Sequence, residues 1–335
     1  MMTLFSCQQK FQHLELNTTN KYKLTSENDL QDPSYCEDID LFFEKGIKGT
    51  FTGKNKVKIY YKIFEQVASQ KCIVISTGRT ESAIKYKEMI YDLYKNGYNI
   101  YIHDHRGQGY SERMLPDSDM GYIDDFQYYI DDLKTFHNKY VLPKNYTKKY
   151  LLAHSMGGAI GITYLEQYPN DFNKAVFSSP MLAFSGYIKP LVNMLISDKP
   201  KYALGQKGFH DDEIPFEKNT LTGSQIRYKR AVDIYLKEPK ARLGGVTYHW
   251  LYASCHQFEY IFDHIQNIKT PSILFSADHE TIVNPKGHYN FIKKSKKLNK
   301  NFDAFLVKNA QHELYIEKDK QRIAVLNKIL DFFAE

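Results

Sequence analysis

The amino-acid sequence predicts an α/β protein, with a mostly parallel central sheet, helices on both faces and a helical insertion between two of the strands. Three observations carry this expectation. From residue 57 onward short apolar strands alternate with amphipathic helices, the rhythm of a doubly wound sheet. One strand runs straight into a helix through the turn Ala153-His154-Ser155-Met156-Gly157. The rhythm breaks only between about Ala183 and Asp263, where Gly, Pro and charge interrupt short amphipathic pieces.

Residues 1–45 are polar and without sustained periodicity, so they read as an irregular or loosely helical lead-in. Val57, Ile59, Tyr61 and Ile63 then alternate as a half-buried strand, and Cys72 to Ser76 follows as a continuous apolar one, the pattern of an edge followed by a sheet interior. A helix from about Ala83 to Lys95 ends at Gly97, and Tyr98–His103 is a strand. In the helix from about Asp124 to Tyr140, Phe126, Tyr129, Ile130, Leu133, Phe136 and Tyr140 share one face. Strand Lys149–Ala153, helix Gly157–Gln167 closed by Pro169, and strand Ala175–Ser178 lead to the interruption. Strand Ser272–Ala277, helix Lys286–Lys297, strand Asp303–Val307 and a last helix from about Lys318 to Phe333 complete the chain. The expected organisation is an N-terminal extension (1–50), a core in two parts (51–182 and 264–335) and a cap inserted at 183–263.

Composition narrows the class. At 335 residues, 42% apolar and 25% charged, the chain can bury a full core, which excludes disorder for the bulk of it. A balance of 45 Lys and Arg against 39 Asp and Glu leaves +6, too mild for a nucleic-acid partner and enough for weak attraction to an anionic membrane. Cys7, Cys36, Cys72 and Cys255 have no paired spacing and read as free thiols in a reducing, cytoplasmic setting. The charge-free runs Tyr150–Leu165 and Leu243–Phe258 are too short to span a bilayer, so any membrane association is peripheral. Aromatic residues, 27 Tyr and 21 Phe against one Trp, are abundant, and in the insertion their polar rims suit a lipid–water boundary.

The turn at Ser155 is where chemistry concentrates. A small-x-Ser-x-Gly sequence between strand and helix exposes the hydroxyl on a sharp turn, and near-bare neighbours let strand and helix crowd together. A serine hydroxyl needs a base, and the base needs an orienting carboxylate, in the chain order Ser, acid, His. His312 follows the last strand, and the preceding strand is followed by two carboxylates, Asp278 and Glu280. The backbone amides of Met156 and Arg79, the latter on the loop after Cys72–Ser76, are expected to form the oxyanion hole. Arg106-Gly107-Gln108-Gly109 follows the wrong strand for a dinucleotide fingerprint, and His103 and His105 read as packed imidazoles, so neither a cofactor nor a metal is expected. The lysines at 293, 294, 296, 297 and 300 read as a solvated helix face that would add to binding beside an anionic bilayer.

From about Phe51 onward the chain resembles the serine α/β-hydrolases that include monoglyceride lipases, and more closely the bacterial inner-membrane lysophospholipases of the L-two kind. The matching pieces are Gly78-Arg79-Thr80-Glu81-Ser82 with Lys85-Tyr86, Asp104 to Ser111, Ala153 to Ala159, Gly244 to Trp250, and His312-Glu313. The resemblance implies an α/β-hydrolase fold and selects Glu280 as the acid, three residues before the apolar Val283, with Asp278 as the alternative. Thr77-Gly78 stands where the wider family has His-Gly. A lysophospholipase is therefore expected, releasing fatty acid and a glycerophospho-alcohol through an acyl-enzyme. Arg79, Tyr248 and Trp250 are expected to bind substrate, and Arg79, Arg227, Lys229 and Arg230 to favour a phosphate head group. The other readings are a monoacylglycerol lipase or carboxylesterase, a lysolipid transacylase and, more remotely, an inactive hydrolase fold used for binding.

Overall fold

The computed structural model describes residues 11–16, 19–186, 188–209 and 215–335. Among them nine strands form one sheet: β1 (Gln12–His13), β2 (Ile47–Thr52), β3 (Lys58–Phe64), β4 (Lys71–Ser76), β5 (Asn99–His103), β6 (Lys148–His154), β7 (Lys174–Ser178), β8 (Ser272–Ala277) and β9 (Phe302–Val307). Their order across the sheet is β1-β9-β8-β7-β6-β4-β5-β3-β2. Only β2 and β3 pair antiparallel to their neighbours; the remaining pairs are parallel.

Strand residues alternate between two cores, as the two-residue period requires. On β4, Cys72 and Val74 point to one face and Ile73 and Ile75 to the other, all of them buried. The first face is covered by α3 (Gln127–Phe136), α4 (Met156–Gln167), α7 (Tyr248–His264) and α8 (Pro285–Lys297), the second by α1 (Pro33–Lys45), α2 (Lys87–Lys95) and α9 (Asp319–Ala334). Helix α4 is buried on nearly every side, which its run of Gly, Ala and Ile permits. A Cβ on Gly157 would lie 2.2 Å from the carbonyl oxygen of Ser76, so only glycine lets this helix start against β4.

Two features differ from expectation. The polar lead-in is part of the fold: β1 pairs with β9, Leu14, Leu24, Leu30, Ile39 and Phe43 are buried, and β2 straddles the boundary placed at residue 50. Helix α1 is capped by Asp32, whose carboxylate accepts from the Ser34 amide at 2.9 Å, with Pro33 at its first position. With Ile39 and Phe43 as its only buried residues, it shows too narrow a stripe for periodicity to reveal. The second difference lies between β7 and β8, which holds α5 (Lys189–Leu195), α6 (Gln225–Lys237) and α7. Helix α7 is also a core helix: Ile261 is buried in the first core, and Gln257 donates to the Thr163 hydroxyl of α4 at 2.5 Å. Cys36, Cys72 and Cys255 are free thiols, and Cys7 lies outside the described residues. Among the described residues no helix is long and apolar enough to cross a membrane.

Candidate active site

Ser155 joins β6 to α4 with φ 50° and ψ −117°, a conformation that L-residues rarely adopt and that surrounding structure must enforce. Its amide donates to the Ser178 carbonyl of β7 at 3.0 Å, and the glycine at 157 removes the obstacle on the β4 side. The strain turns the hydroxyl toward the loops at the carboxyl ends of the strands.

There the Ser155 hydroxyl meets His312, Oγ to Nε2 3.0 Å, and His312 Nδ1 lies 2.8 Å from Glu280 Oε2. A carboxylate only accepts, so Nδ1 carries the proton and Nε2 is free to accept from the serine. Glu280 Oε1 accepts from the amides of Ile282 at 2.9 Å and Val283 at 3.2 Å, which fixes the carboxylate. Burial would raise the Glu280 carboxyl, but the hydrogen bond and charge of His312 outweigh it and hold it at about 2. Asp278 turns elsewhere: its Oδ1 accepts from the Ala310 amide at 3.1 Å. Of the two carboxylates left open by position, only Glu280 reaches the imidazole.

Gly78, Arg79, His154 and Ser155 line a cavity of about 480 Å³ whose walls include Phe184, Phe209, Leu243 and Trp250. That size falls within the usual range for small-molecule sites. The amides of Arg79, on the loop after β4, and of Met156, the first residue of α4, are bonded to no acceptor among the described residues. The Arg79 side chain donates through Nη2 to the Gly244 carbonyl and lies 5.5 Å from the Trp250 ring centroid. Gly121 makes room for it, since a Cβ there would sit 2.6 Å from Nη2. No carboxylate pairs with this guanidinium among the described residues, and its Nε is buried without a partner. Burial pulls its pKa down to about 10.

Other expected substrate contacts are not in the cavity. Tyr248 does not line it; its hydroxyl accepts from the Leu204 amide at 3.2 Å. Arg227 is buried in a network with Glu88 at 2.9 Å and Asp319 at 2.9 Å, so its charge is already spent inside the protein. Lys229 pairs with Asp233 on the α6 surface and Arg230 donates to the Cys36 sulfur. Arg106 forms a buried two-pronged pair with Asp132, both contacts 2.7 Å, which makes its glycine-flanked turn structural. His103 and His105 are buried side by side, 4.9 Å between ring centroids. The lysines at 293–300 sit at the far end of α8, next to the amino ends of β8 and β9, whereas the cavity lies at the carboxyl ends. An anionic surface drawn to these lysines would therefore meet the side of the protein away from the cavity.

One group escaped the sequence reading. Glu81, Lys85, His154 and Glu313 are buried together beside His312, and the ring of His154 packs 4.8 Å from that of His312. One carboxylate or imidazole atom from each of Glu81, His154 and Glu313 lies within 4.8 Å of the others, with the Lys85 ammonium between the carboxylates at 2.8 and 2.7 Å. Their spacing in the chain gives no sign of this; they fall within three separate pieces of the family resemblance, Gly78-Arg79-Thr80-Glu81-Ser82 with Lys85-Tyr86, Ala153 to Ala159, and His312-Glu313.

Comparison with known proteins identifies the family. The profile of the Hydrolase_4 family, described as serine aminopeptidase, S33, matches residues 68–319. Lysophospholipase L2 of Escherichia coli strain K12 is 33% identical over 303 residues, covering 87% of this chain and 88% of that protein. Monoglyceride lipase of Rattus norvegicus is 25% identical over 266 residues, 77% of this chain and 80% of that protein. In fold, a soluble variant of Saccharomyces cerevisiae monoglyceride lipase matches with a TM-score of 0.67 at 19% identity, covering 87% of this chain and 94% of the other. With a serine-bearing turn between β6 and α4 in a mostly parallel sheet, and with these similarities, the chain belongs to the Hydrolase_4 family of α/β-hydrolases.

Proposed function

We propose that the protein is a lysophospholipase in which Ser155, His312 and Glu280 act as nucleophile, base and orienting acid. Ser155 attacks the acyl carbonyl while its proton passes to His312 Nε2, and Glu280 stabilises the resulting imidazolium. The amides of Arg79 and Met156 receive the oxyanion. Collapse of the tetrahedral adduct expels the glycerophospho-alkoxide, which takes the proton from His312 and leaves an acyl-Ser155. Water, deprotonated by the same imidazole, then releases the fatty acid and restores the serine.

The observation that carries the choice of substrate is the Arg79 guanidinium, a cation on the cavity wall with no carboxylate partner among the described residues. A phosphodiester would supply the missing charge through charge-assisted hydrogen bonds. The similarity to the Escherichia coli lysophospholipase points the same way. A second reading, a monoacylglycerol lipase, draws on the apolar walls and on the likeness to monoglyceride lipases. The reading assigns residues 183–263 to a cap over the acyl chain, with Trp250 as a wall. It assigns peripheral membrane contact to the outer face of that cap, where Leu191 is 47% exposed, Met194 72% and Leu204 87%. Free thiols at Cys36, Cys72 and Cys255 support a reducing, cytoplasmic setting.

The test compares kcat/KM for lysophosphatidylethanolamine and a monoacylglycerol of the same acyl chain, in the wild type and in Arg79→Met. The expected result is a wild-type preference for the lysophospholipid and a fall in the ratio of about tenfold or more in the variant, the worth of a charge-assisted bond. The ratio cancels any disturbance of the Arg79 amide. A wild type that prefers the neutral lipid would establish the second reading.

A further inference from the structure

The oxyanion loop follows β4 and the histidine loop follows β9, and three strands separate them in the sheet. At about 4.8 Å per strand, their roots stand on the order of 19 Å apart. Sheet hydrogen bonds fix the strands and leave the height and tilt of each loop above Ser155 undetermined. Something must tie the loops directly if the amide donors and the base are to hold a common geometry.

Lys85 makes that tie. Its ammonium bonds Glu81 Oε1 at 2.8 Å on the oxyanion-loop side and Glu313 Oε1 at 2.7 Å on the other, with all three side chains buried. Glu81 passes the constraint to the loop backbone, because its Oε2 accepts from the Gly78 amide at 2.5 Å, next to Arg79. The same oxygen takes the Tyr86 hydroxyl at 2.5 Å. Gln108 clamps the loop from beneath, donating 2.8 Å bonds to the carbonyls of Gly78 and Glu81. Glu313 is the neighbour of His312, and its amide donates to the Leu221 carbonyl of the inserted segment at 2.8 Å. The bridge thus joins the oxyanion loop, the histidine loop and the segment above the cavity.

We propose that Lys85 is a positioning residue for the ester hydrolysis: its ammonium, shared by Glu81 and Glu313, sets the oxyanion amides and His312 in register over Ser155. The proposal rests on the serine-hydrolase reading of the site and not on the identity of the head group. Glu81, Lys85 and Glu313 also line the cavity, but the ammonium is taken up by the two carboxylates and bonds neither Ser155 nor His312, so with a short neutral ester its loss acts on the transition state more than on binding. Misplacement of catalytic groups by about 1 Å costs on the order of 10²-fold in rate.

The experiment measures kcat, KM and melting temperature with a short 4-nitrophenyl ester for the wild type, Lys85→Met, Lys85→Arg and Glu313→Gln. The expected result is a kcat lower by about 10²-fold in Lys85→Met with KM within about threefold, partial recovery in Lys85→Arg, and a loss in Glu313→Gln of about tenfold or more. Should Lys85→Met fail to fold, Glu313→Gln, which keeps the side chain's size and one acceptor, decides. Wild-type kcat in either folded bridge variant overturns the proposal. So does a loss in kcat no larger than the loss in a temperature-matched stability control, or a Lys85→Arg protein as impaired as Lys85→Met. A wild type that hydrolyses no ester would instead refute the serine-hydrolase reading.

Discussion

Replacing Glu280 by Gln tests the centre of the site. The carboxylate is held at about 2 against an ordinary 4.5, a gap worth about 3 kcal/mol in favour of the charged form at roughly 1.4 kcal/mol per tenfold. Much of that comes from the 2.8 Å bond to His312, the interaction that strengthens when the imidazole becomes charged. Removing the charge alone predicts a loss on the order of 10² in kcat. Gln brings a second defect, since its amide can donate to Nδ1 and hold His312 in the tautomer whose Nε2 carries the proton. Ser155 then has no acceptor, and the two effects together predict a fall of roughly 10³ to 10⁴, the scale found when the orienting acid of such triads is made an amide. Asp278→Asn keeps an acceptor for the Ala310 amide and should stay within about threefold of the wild type. The assay is steady-state hydrolysis of a 4-nitrophenyl ester, with circular dichroism to verify folding. If Asp278→Asn abolishes turnover while Glu280→Gln retains it, the assignment of the acid is wrong.

Further outcomes follow from the same structure. In Gly157→Ala the new methyl meets the Ser76 carbonyl at 2.2 Å and the Thr77 carbonyl at 2.4 Å, so labelling by a fluorophosphonate should fall below a tenth of the wild-type rate. Arg227→Met takes one of two guanidinium partners from Glu88, which keeps Arg322 at 3.2 Å, and the ion pair from the partly exposed Asp319, and should cost about 2–3 kcal/mol in urea unfolding; a cost below about 1 kcal/mol would contradict the burial. Burial holds His105, His137, His154 and His288 at about 4 against an ordinary 6.5. The unfolded chain therefore binds more protons between pH 6.5 and 4, and stability falls as pH drops through that window. Asp104, pushed up to about 7 by burial, works in the opposite direction between pH 7 and 3.8 and offsets part of this. His103, lowered further by burial, adds to the loss, and Glu166, raised by burial, adds to the offset; a fall in stability from pH 7 to pH 5 is the expected outcome, and a flat profile across that range in urea titrations would refute it.

The parts of the site legible in sequence are those whose chemistry is local. Ser155 announces itself because a strained turn needs small neighbours within two residues, and Glu280 and His312 because they follow consecutive strands of a repeating pattern. Glu280 rather than Asp278 came from resemblance; geometry gives the reason, since only the residue followed by the Ile282 and Val283 amides has its carboxylate turned toward His312. What remained hidden depends on partners far apart in the chain. Arg227 reads in sequence as a cation for a phosphate head group, yet Glu88 and Asp319 lie 139 and 92 residues away and neutralise it inside the protein. Lys85 and Glu313 are separated by 228 residues, so their pairing has no period or spacing to read. The lead-in was missed for a different reason: a two-residue strand and a helix burying two side chains leave almost no pattern behind.

That two-residue strand has a further consequence. One margin of the sheet is β9, and β1 is the neighbour that covers it, pairing Gln12 with Phe305 and His13 with Leu306. The Leu14 amide extends the seal by donating to the Leu306 carbonyl at 3.0 Å. Uncovered backbone on a sheet margin recruits other chains, and proteins blunt such margins with short, polar or charged strands. A protein beginning at Lys21 would present the apolar β9 edge to solvent while keeping every element of the active site. Its expected defect is self-association that grows with concentration, which makes the amino-terminal segment a guard of solubility.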